Sequence, residues 1–144
     1  MTRSQRIKKI VKLSENKERS AAREFAATQK ILNGYKERLT QLENYRKEYM
    51  GYLKPGGQAQ SITILREHQA FILQIDEGIR LLIQQINLQE SMNSRERDNW
   101  LKEKQQLDTM ENIFERFSCA ERKIATLREQ NQLDELSQRQ TSKY

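Results

Sequence analysis

Apolar residues recur at alternating spacings of four and three over most of this chain, and that spacing constrains its fold more than any other feature. Side chains at this spacing lie on one narrow face of an α-helix, which is the pattern of a coiled-coil seam. The first series predicts a helix over residues 5–53. Its members are Ile7, Val11, Ser14, Glu18, Ala21, Phe25, Thr28, Leu32, Tyr35, Leu39, Leu42, Arg46, Tyr49 and Leu53.

A second series with the same spacing follows, and it predicts a helix over residues 62–138. It contains Leu65, His68, Ile72, Ile75, Ile79, Leu82, Ile86, Gln89, Asn93, Glu96, Trp100, Glu103, Leu107 and Met110, and it continues to Phe114, Phe117 and Ile124. The segment LKPGGQAQS between the two series combines a proline with two glycines, which interrupt a helix and favour a turn. The sequence therefore predicts a turn at residues 54–61.

These elements predict an all-α fold in which two long helices form an antiparallel coiled-coil hairpin, the second helix being longer, as a single domain over residues 1–144. Pairing across the turn places apolar residues opposite each other along both series. The second series turns polar at Gln89, Asn93 and Glu96. The facing residues of the first series, Thr28, Phe25 and Ala21, also provide little apolar packing, so we expect the helices to bend or fray there. The predicted pairs are Leu53–Leu65, Leu42–Ile75, Leu39–Ile79, Leu32–Ile86, Val11–Leu107 and Ile7–Met110.

Composition argues against a sheet, a compact globule and an enzyme. The chain has one Val and one Pro against 16 Gln and 16 Glu, and charged residues make up 32% of it. Cys119 and His68 are the only residues of their types, so they cannot form a disulfide framework or a metal cluster. No glycine-rich phosphate loop or nucleophile–base pair is present. We expect no catalytic residue, cofactor, metal site or small-molecule substrate.

No apolar run approaches the roughly 18 residues of a membrane-spanning helix, and the first 13 residues lack the features of a signal peptide. The single cysteine is typical of a reducing compartment. We therefore expect a cytoplasmic protein.

The predicted pairing leaves residues 111–138 of the second helix without a partner on the first. An apolar stripe without an intramolecular partner predicts an intermolecular one, although a frayed or dimerising tail is an open alternative. The stripe contains Phe114, Phe117, Ile124, Leu127, Leu133 and Leu136.

Charge is concentrated at the N-terminus. Residues 1–56 carry 14 Lys or Arg against 6 Asp or Glu, whereas residues 57–144 carry 12 against 14. The basic cluster can bind phosphates or an acidic protein surface, and it can also serve simply as a solubilising face. Binding to nucleic acid is disfavoured because no aromatic residues interleave with it. The cluster consists of Arg3, Arg6, Lys8, Lys9 and Lys12.

A further stripe near the turn exceeds what one seam uses. Its members step four, three, four on each helix, so they line one side of the hairpin. They are predicted to face each other in the pairs Arg38–Leu82, Leu42–Gly78, Tyr45–Ile75 and Tyr49–Phe71. The interpretation as a binding patch competes with that of a core thickened near the turn. The turn-proximal patch consists of Arg38, Leu42, Tyr45 and Tyr49 on the first helix and Phe71, Ile75, Gly78 and Leu82 on the second.

Four strings occur in the order found in a known family: YRKEY at 45–49, QAFI at 69–72, LDTMENIFER at 107–116 and LDELSQR at 133–139. With them, nearly the whole chain resembles the FliJ family of flagellar type III export proteins. The resemblance implies a two-helix antiparallel coiled coil similar to the γ subunit of rotary ATP synthases. Its implied partners are the hexameric ring of the export ATPase FliI, with FliH, the export gate FlhA and export chaperones, in peripheral association with the membrane export apparatus.

The resemblance also implies which residues meet these partners. The paired helix ends would enter the ATPase ring, and the turn-proximal patch would contact the gate, although Arg38 and Leu82 depart from the polar residues expected of the family there. A virulence injectisome stalk and a basic coiled-coil protein that binds nucleic acid are the alternatives. The ring-binding end comprises Arg3, Arg6, Lys8, Lys9, Lys12, Phe114, Phe117, Ile124 and Leu127.

Overall fold

A computed structural model of the chain describes residues 2–52 and 62–141. Helix α1 spans Arg3–Tyr52 and helix α2 spans Ile62–Thr141. All of the described residues after Thr2 are helical, so this part of the chain contains no strand. The all-α fold with two long, packed helices and a longer second helix is therefore confirmed.

The helix boundaries differ slightly from those predicted. Helix α1 begins at Arg3 rather than at residue 5, and α2 continues to Thr141 rather than to residue 138. The predicted turn at 54–61 and the seam position Leu53 lie outside the described residues. The single-domain assignment stays a prediction.

The chain divides into two compact units, and each contains a segment of both helices. One unit comprises Met1–Ala21 with Trp100–Tyr144, and the other comprises Ala22–Asn99. In each unit a segment of α1 packs antiparallel to a segment of α2, because two contacts occur in opposite order along the two helices. These are Ser4–Glu121 and Glu18–Trp100 in the first unit, and Thr28–Asn93 and Tyr49–His68 in the second.

The seam of α1 lies where the spacing predicts it. Every position of the first series from Ile7 to Tyr49 is buried or half-buried, and Ala21 and Leu32 are the most buried apolar residues of this helix. Ser4 extends the same series by one step and is also buried. The charged side chains lie mainly on the remaining faces, as expected for a helix with a narrow apolar stripe.

The seam of α2 agrees with its prediction from His68 to Phe117, where every position of the series is buried or half-buried. Ile75, Ile86 and Gln89 are its buried residues. Leu65 is an exception, because 42% of it is exposed. Its predicted partner Leu53 lies outside the described residues, and the covered part of the seam begins at His68.

The polar segment of the seam is not frayed in the structure, and the bending that we gave as the alternative stays a prediction. Both helices are continuous there, and Asn93 Nδ2 donates a hydrogen bond of 3.1 Å to Thr28 Oγ1. Thr28 Oγ1 in turn donates to the carbonyl oxygen of Phe25 at 2.8 Å. Among the described residues, no buried side-chain nitrogen or oxygen lacks a hydrogen-bond partner. Polar pairing thus stabilises a segment where apolar pairing is weak.

The paired part of α2 extends further than predicted. Glu121 accepts hydrogen bonds from the Ser4 amide at 3.2 Å and from Ser4 Oγ at 2.5 Å. The carboxylate thereby satisfies one of the free amides in the first turn of α1 and lies at the positive end of the helix dipole. Phe114 and Phe117, predicted to lie in an unpaired stripe, are half-buried. The exposed segment of α2 is therefore residues 122–141.

The physical reason for this longer pairing is the direction of the side chains. In an α-helix they lean toward the N-terminus of their own helix. The long Glu121 side chain therefore reaches back along α2 toward the turn, where it meets Ser4. The ion pair between Lys36 Nζ and Glu90 Oε1, at 3.5 Å, shows the same displacement.

We predict that Leu32→Ala lowers the free energy of unfolding by about 2–5 kcal/mol, because Leu32 is only 4% exposed and its removal leaves a cavity in the seam. Its neighbour Ile31, which is 49% exposed, provides the matched control: Ile31→Ala is expected to cost less than about 1 kcal/mol. Denaturant unfolding followed by circular dichroism measures both. Equal losses for the two variants would contradict the assigned seam.

Candidate interaction surfaces

The turn-proximal patch lies within one unit and contains a cluster of aromatic rings. The Tyr49 and Phe71 rings are 4.8 Å apart between centroids and tilted by 56°. The Tyr45 ring meets Phe71 edge to face at 6.1 Å and 79°. Both are favourable arrangements of aromatic side chains. The structure therefore brings Tyr45, Tyr49 and Phe71 together, and it confirms the predicted opposition of Tyr49 and Phe71.

Gly78 lies against Leu42, which confirms a second predicted pair. A Cβ atom added to Gly78 would lie 3.5 Å from Leu42 Cδ2, an ordinary van der Waals distance. Among the described residues, Leu42 supplies the one side-chain contact that this added Cβ would make within 4 Å. Leu42, Leu82 and Gly78 are half-buried.

The patch residues differ in what they offer a partner. Tyr45 is 48% exposed and Arg38 is exposed, whereas Ile75 is only 6% exposed. Ile75 therefore supports the patch from beneath, and its side chain is not accessible. The accessible part is the edge formed by Arg38 and Tyr45 with half-buried Phe71.

An ion pair beside the patch joins the two helices, and the sequence pattern did not identify it. Arg46 Nε donates to Asp76 Oδ1 at 2.6 Å, and Arg46 Nη2 donates to Asp76 Oδ2 at 3.4 Å. These hydrogen bonds, and then the charge of Asp76, raise the pKa of Arg46 above its ordinary value. Arg46 was visible only as a polar interruption of the apolar series. The feature of the sequence that could have indicated this ion pair is the negative charge of Asp76, which lies near the part of α2 predicted to face Arg46.

His68 has its partner at the seam position of α1 that the predicted pairing places opposite it. The Tyr49 hydroxyl and His68 Nδ1 form a hydrogen bond, and their rings are 5.3 Å apart. The single histidine of the chain is therefore held by Tyr49 at the end of the described seam that is nearest to the turn.

The second candidate surface is the end of the other unit. The basic cluster Arg3, Arg6, Lys8, Lys9 and Lys12 is exposed. Arg3 Cζ lies 6.0 Å from the centre of the Phe117 ring, a cation–π distance. The structure thus joins the basic cluster to the predicted aromatic residues through this one contact.

The exposed end of α2 carries the remaining predicted contact residues. Ile124 and Leu127 are both more than half exposed, and they follow the contact of Glu121 with Ser4. Leu133 and Leu136 are exposed further along. This segment therefore presents exposed aliphatic side chains.

The seam of this unit contains a polar contact that the sequence pattern did not identify. Trp100 Nε1 donates a hydrogen bond of 2.9 Å to Glu18 Oε1. Lys104 Nζ lies 5.2 Å from the centre of the Trp100 ring. Glu18 and Trp100 are seam positions, and Lys104 lies next to the seam. The feature of the sequence that could have indicated the hydrogen bond is a glutamate in one series opposite a tryptophan in the other.

Residues 2–52 and 62–141 include no group of three His, Cys, Asp or Glu side chains arranged to hold a metal ion. Within the same residues, neither helix contains a stretch long and apolar enough to cross a membrane.

We predict that Gly78→Ala raises the free energy of unfolding by up to about 1 kcal/mol, because alanine favours the helix and its Cβ meets Leu42 at an ordinary contact distance. Gly34→Ala is the matched control, since an added Cβ there meets no atom within 4 Å. Denaturant unfolding of both variants separates helix propensity from the contact with Leu42. A loss of stability in Gly78→Ala alone would contradict the described packing.

Comparison with known proteins identifies the family of this chain. The model of the family described as flagellar FliJ protein matches residues 3–143. No match was found among curated proteins or among solved structures. Because the family match extends over nearly the whole chain, the chain belongs to the FliJ family.

Proposed function

We propose that this FliJ-family chain is a non-enzymatic stalk of the flagellar type III export apparatus. In this proposal one surface binds the ring of the export ATPase FliI, the other binds the export gate FlhA, and the chain couples the ATPase to the export of flagellar subunits. The family match supports the flagellar system over the homologous injectisome stalk. The structural observation that carries the proposal is the accessible Tyr45–Phe71 ring pair beside the turn.

The ring pair has the properties of an interface anchor. Tyr45 is about half exposed, yet its ring is held edge to face against Phe71 and thus loses little freedom on binding. Interface energy concentrates in a few aromatic and arginine residues, and Arg38 lies on the same edge. We assign this edge to the export gate, with Leu42, Tyr49, Ile75, Gly78 and Leu82 as its support.

The exposed end of α2 and the basic cluster are assigned to the ATPase ring. Residues 122–141 expose aliphatic side chains, and the basic cluster in the same unit supplies charge that steers an acidic partner. A helix already formed offers a ring a preorganised surface. The chain contributes no hydrolytic residue in this mechanism, since an arginine on the axis of a ring is far from nucleotide sites between its subunits.

FliH and the export chaperones are further proposed partners, and the association with the membrane export apparatus is proposed to be peripheral, through the gate. We assign no separate residues to these contacts.

We predict that a chain ending at Glu121 keeps its helical hairpin and its thermal midpoint but loses binding to the FliI ring. The expected reason is that residues 122–141 make no seam contact, so their removal deletes the proposed interface without opening the core. Circular dichroism and co-sedimentation with the assembled ATPase measure the two properties. The internal control is a full-length variant with Leu133→Ser and Leu136→Ser, which separates the distal leucines from Ile124 and Leu127. Full ring binding by the shortened chain would refute the assignment.

We predict that Tyr45→Ala combined with Phe71→Ala abolishes FlhA binding, because each aromatic anchor is expected to contribute roughly 2 kcal/mol or more. The hairpin should lose less than the roughly 3–5 kcal/mol typical of a fully buried aromatic residue, since neither ring is fully covered. Calorimetric titration with the cytoplasmic part of the gate and thermal unfolding give the two quantities.

The matched control for this pair is Leu39→Ala with Ile79→Ala, a seam variant expected to unfold the hairpin and to lose binding as a consequence. If the aromatic variant unfolds as early as the seam variant, the rings belong to the core. If it unfolds normally and still binds the gate, the patch assignment is wrong.

A further inference from the structure

Helix α2 carries a second seam that α1 covers only in part, where Phe71 packs on Tyr49 and Gly78 lies against Leu42. Its residues step four, three, four and three, each lying one position before a residue of the α1-facing seam, so they form an adjacent narrow face of the helix. This outer face begins and ends with a charged residue and contains apolar residues between. It comprises Glu67, Phe71, Gln74, Gly78, Leu81, Gln85, Leu88, Met92 and Arg95.

The apolar residues in the middle of the outer face are open to solvent. Leu88 is 65% exposed, and Leu81 and Met92 are close to half exposed. All residues of the face belong to the unit Ala22–Asn99. A helix with two neighbouring seams is typical of bundles with more than two helices, and α1 fills only one of the two positions beside α2.

We propose that a second copy of this chain covers the outer face, with the two α2 helices antiparallel around a twofold axis at Leu81. In this arrangement Leu81 meets Leu81, and every other residue of the face meets the residue that lies the same number of steps from Leu81 along the face of the other copy. The same surface then serves both copies, as in most dimers of identical chains. The opposing residues are Gly78 with Gln85, Gln74 with Leu88, Phe71 with Met92 and Glu67 with Arg95.

Charge complementarity favours this antiparallel arrangement over parallel pairing in register. Antiparallel pairing centred on Leu81 places Glu67 opposite Arg95 at both ends of the dimer. Parallel pairing in register would place each of these residues against its own like charge, which is unfavourable. Both side chains are exposed, and neither forms an ion pair within the described residues.

The apolar contacts disfavour a register centred on Gly78. That shift by one heptad would place Glu67 opposite Leu88 and Phe71 opposite Gln85, so a charged group and a polar group would cover apolar ones. With Leu81 at the centre, Phe71 meets Met92, whose flexible thioether side chain adapts well to an aromatic ring. The absent side chain of Gly78 leaves room for Gln85 of the other copy.

The dimer has a regulatory consequence that rests on the proposed function. Phe71 and Gly78 belong both to the outer face and to the turn-proximal patch, so a second copy and the export gate compete for the same side chains. Self-association would thus keep free chains from occupying the gate, and gate binding would release one copy.

Disulfide trapping tests the position of the twofold axis. In a Cys119→Ser background, Leu81→Cys should form a disulfide-linked dimer of the full-length chain under mild oxidation, because the two introduced thiols meet on the axis. Ile83→Cys is the matched control: Ile83 is 42% exposed and Leu81 is 49% exposed, but Ile83 lies on the opposite side of α2. Equal trapping of both variants, or none with Leu81→Cys, would overturn the proposal.

Charge reversal tests the register independently. Glu67→Arg and Arg95→Glu should each weaken dimerisation about three- to tenfold, since each replaces two opposite-charge contacts by two like-charge contacts. The double variant restores both contacts and should restore dimerisation. Sedimentation equilibrium of the purified full-length chains gives the dissociation constants, and thermal unfolding at low concentration verifies that each variant folds.

A wild-type chain that stays monomeric over the concentration range, or a double variant as weak as the single ones, would exclude this dimer. Neither measurement involves the gate or the ATPase, so their failure leaves the proposed function to its own tests.

Discussion

The rest of the structure depends on the single seam between α1 and α2. Few residues are truly buried in it: the buried apolar side chains of the described residues are Ala21, Leu32, Ile75 and Ile86. Long helices of this composition gain most of their stability from packing one face rather than from intrinsic propensity. The seam therefore determines which faces stay free for other contacts.

A seam of regular spacing does not by itself fix the register, because a slide of seven residues places equivalent positions opposite each other again. Polar contacts penalise such a slide, since it would leave their buried atoms unpaired. Ser4 with Glu121 and Glu18 with Trp100 act in one unit, and Asn93 with Thr28 acts in the other. These polar contacts contribute more to the choice of one register between α1 and α2 than to the free energy of unfolding.

The sequence predicted the seam almost completely, because burial in a coiled coil follows directly from the spacing of apolar residues. It also predicted that Tyr49 would face Phe71 and that Leu42 would face Gly78. It misplaced the end of the pairing, because the position of Glu121 depends on the direction in which its side chain leans. The contacts of Arg46 with Asp76 and of Tyr49 with His68 depend on side-chain rotamers, which spacing does not determine.

The polar residues that interrupt the two apolar faces of α2 differ in their exposure to solvent. On the inner face, Gln89 is buried at a seam position of α2. On the outer face, Gln74 and Gln85 are exposed and interrupt the leucines, and Gly78 removes a side chain altogether. Each interruption reduces the apolar area that a partner can bury there, so the affinity of this face is lowered. A face weakened in this way suits partners that must exchange, because differences in affinity appear mainly in the rate of dissociation. The outer face thus retains enough periodicity to specify a register and too little apolar area to hold one partner permanently.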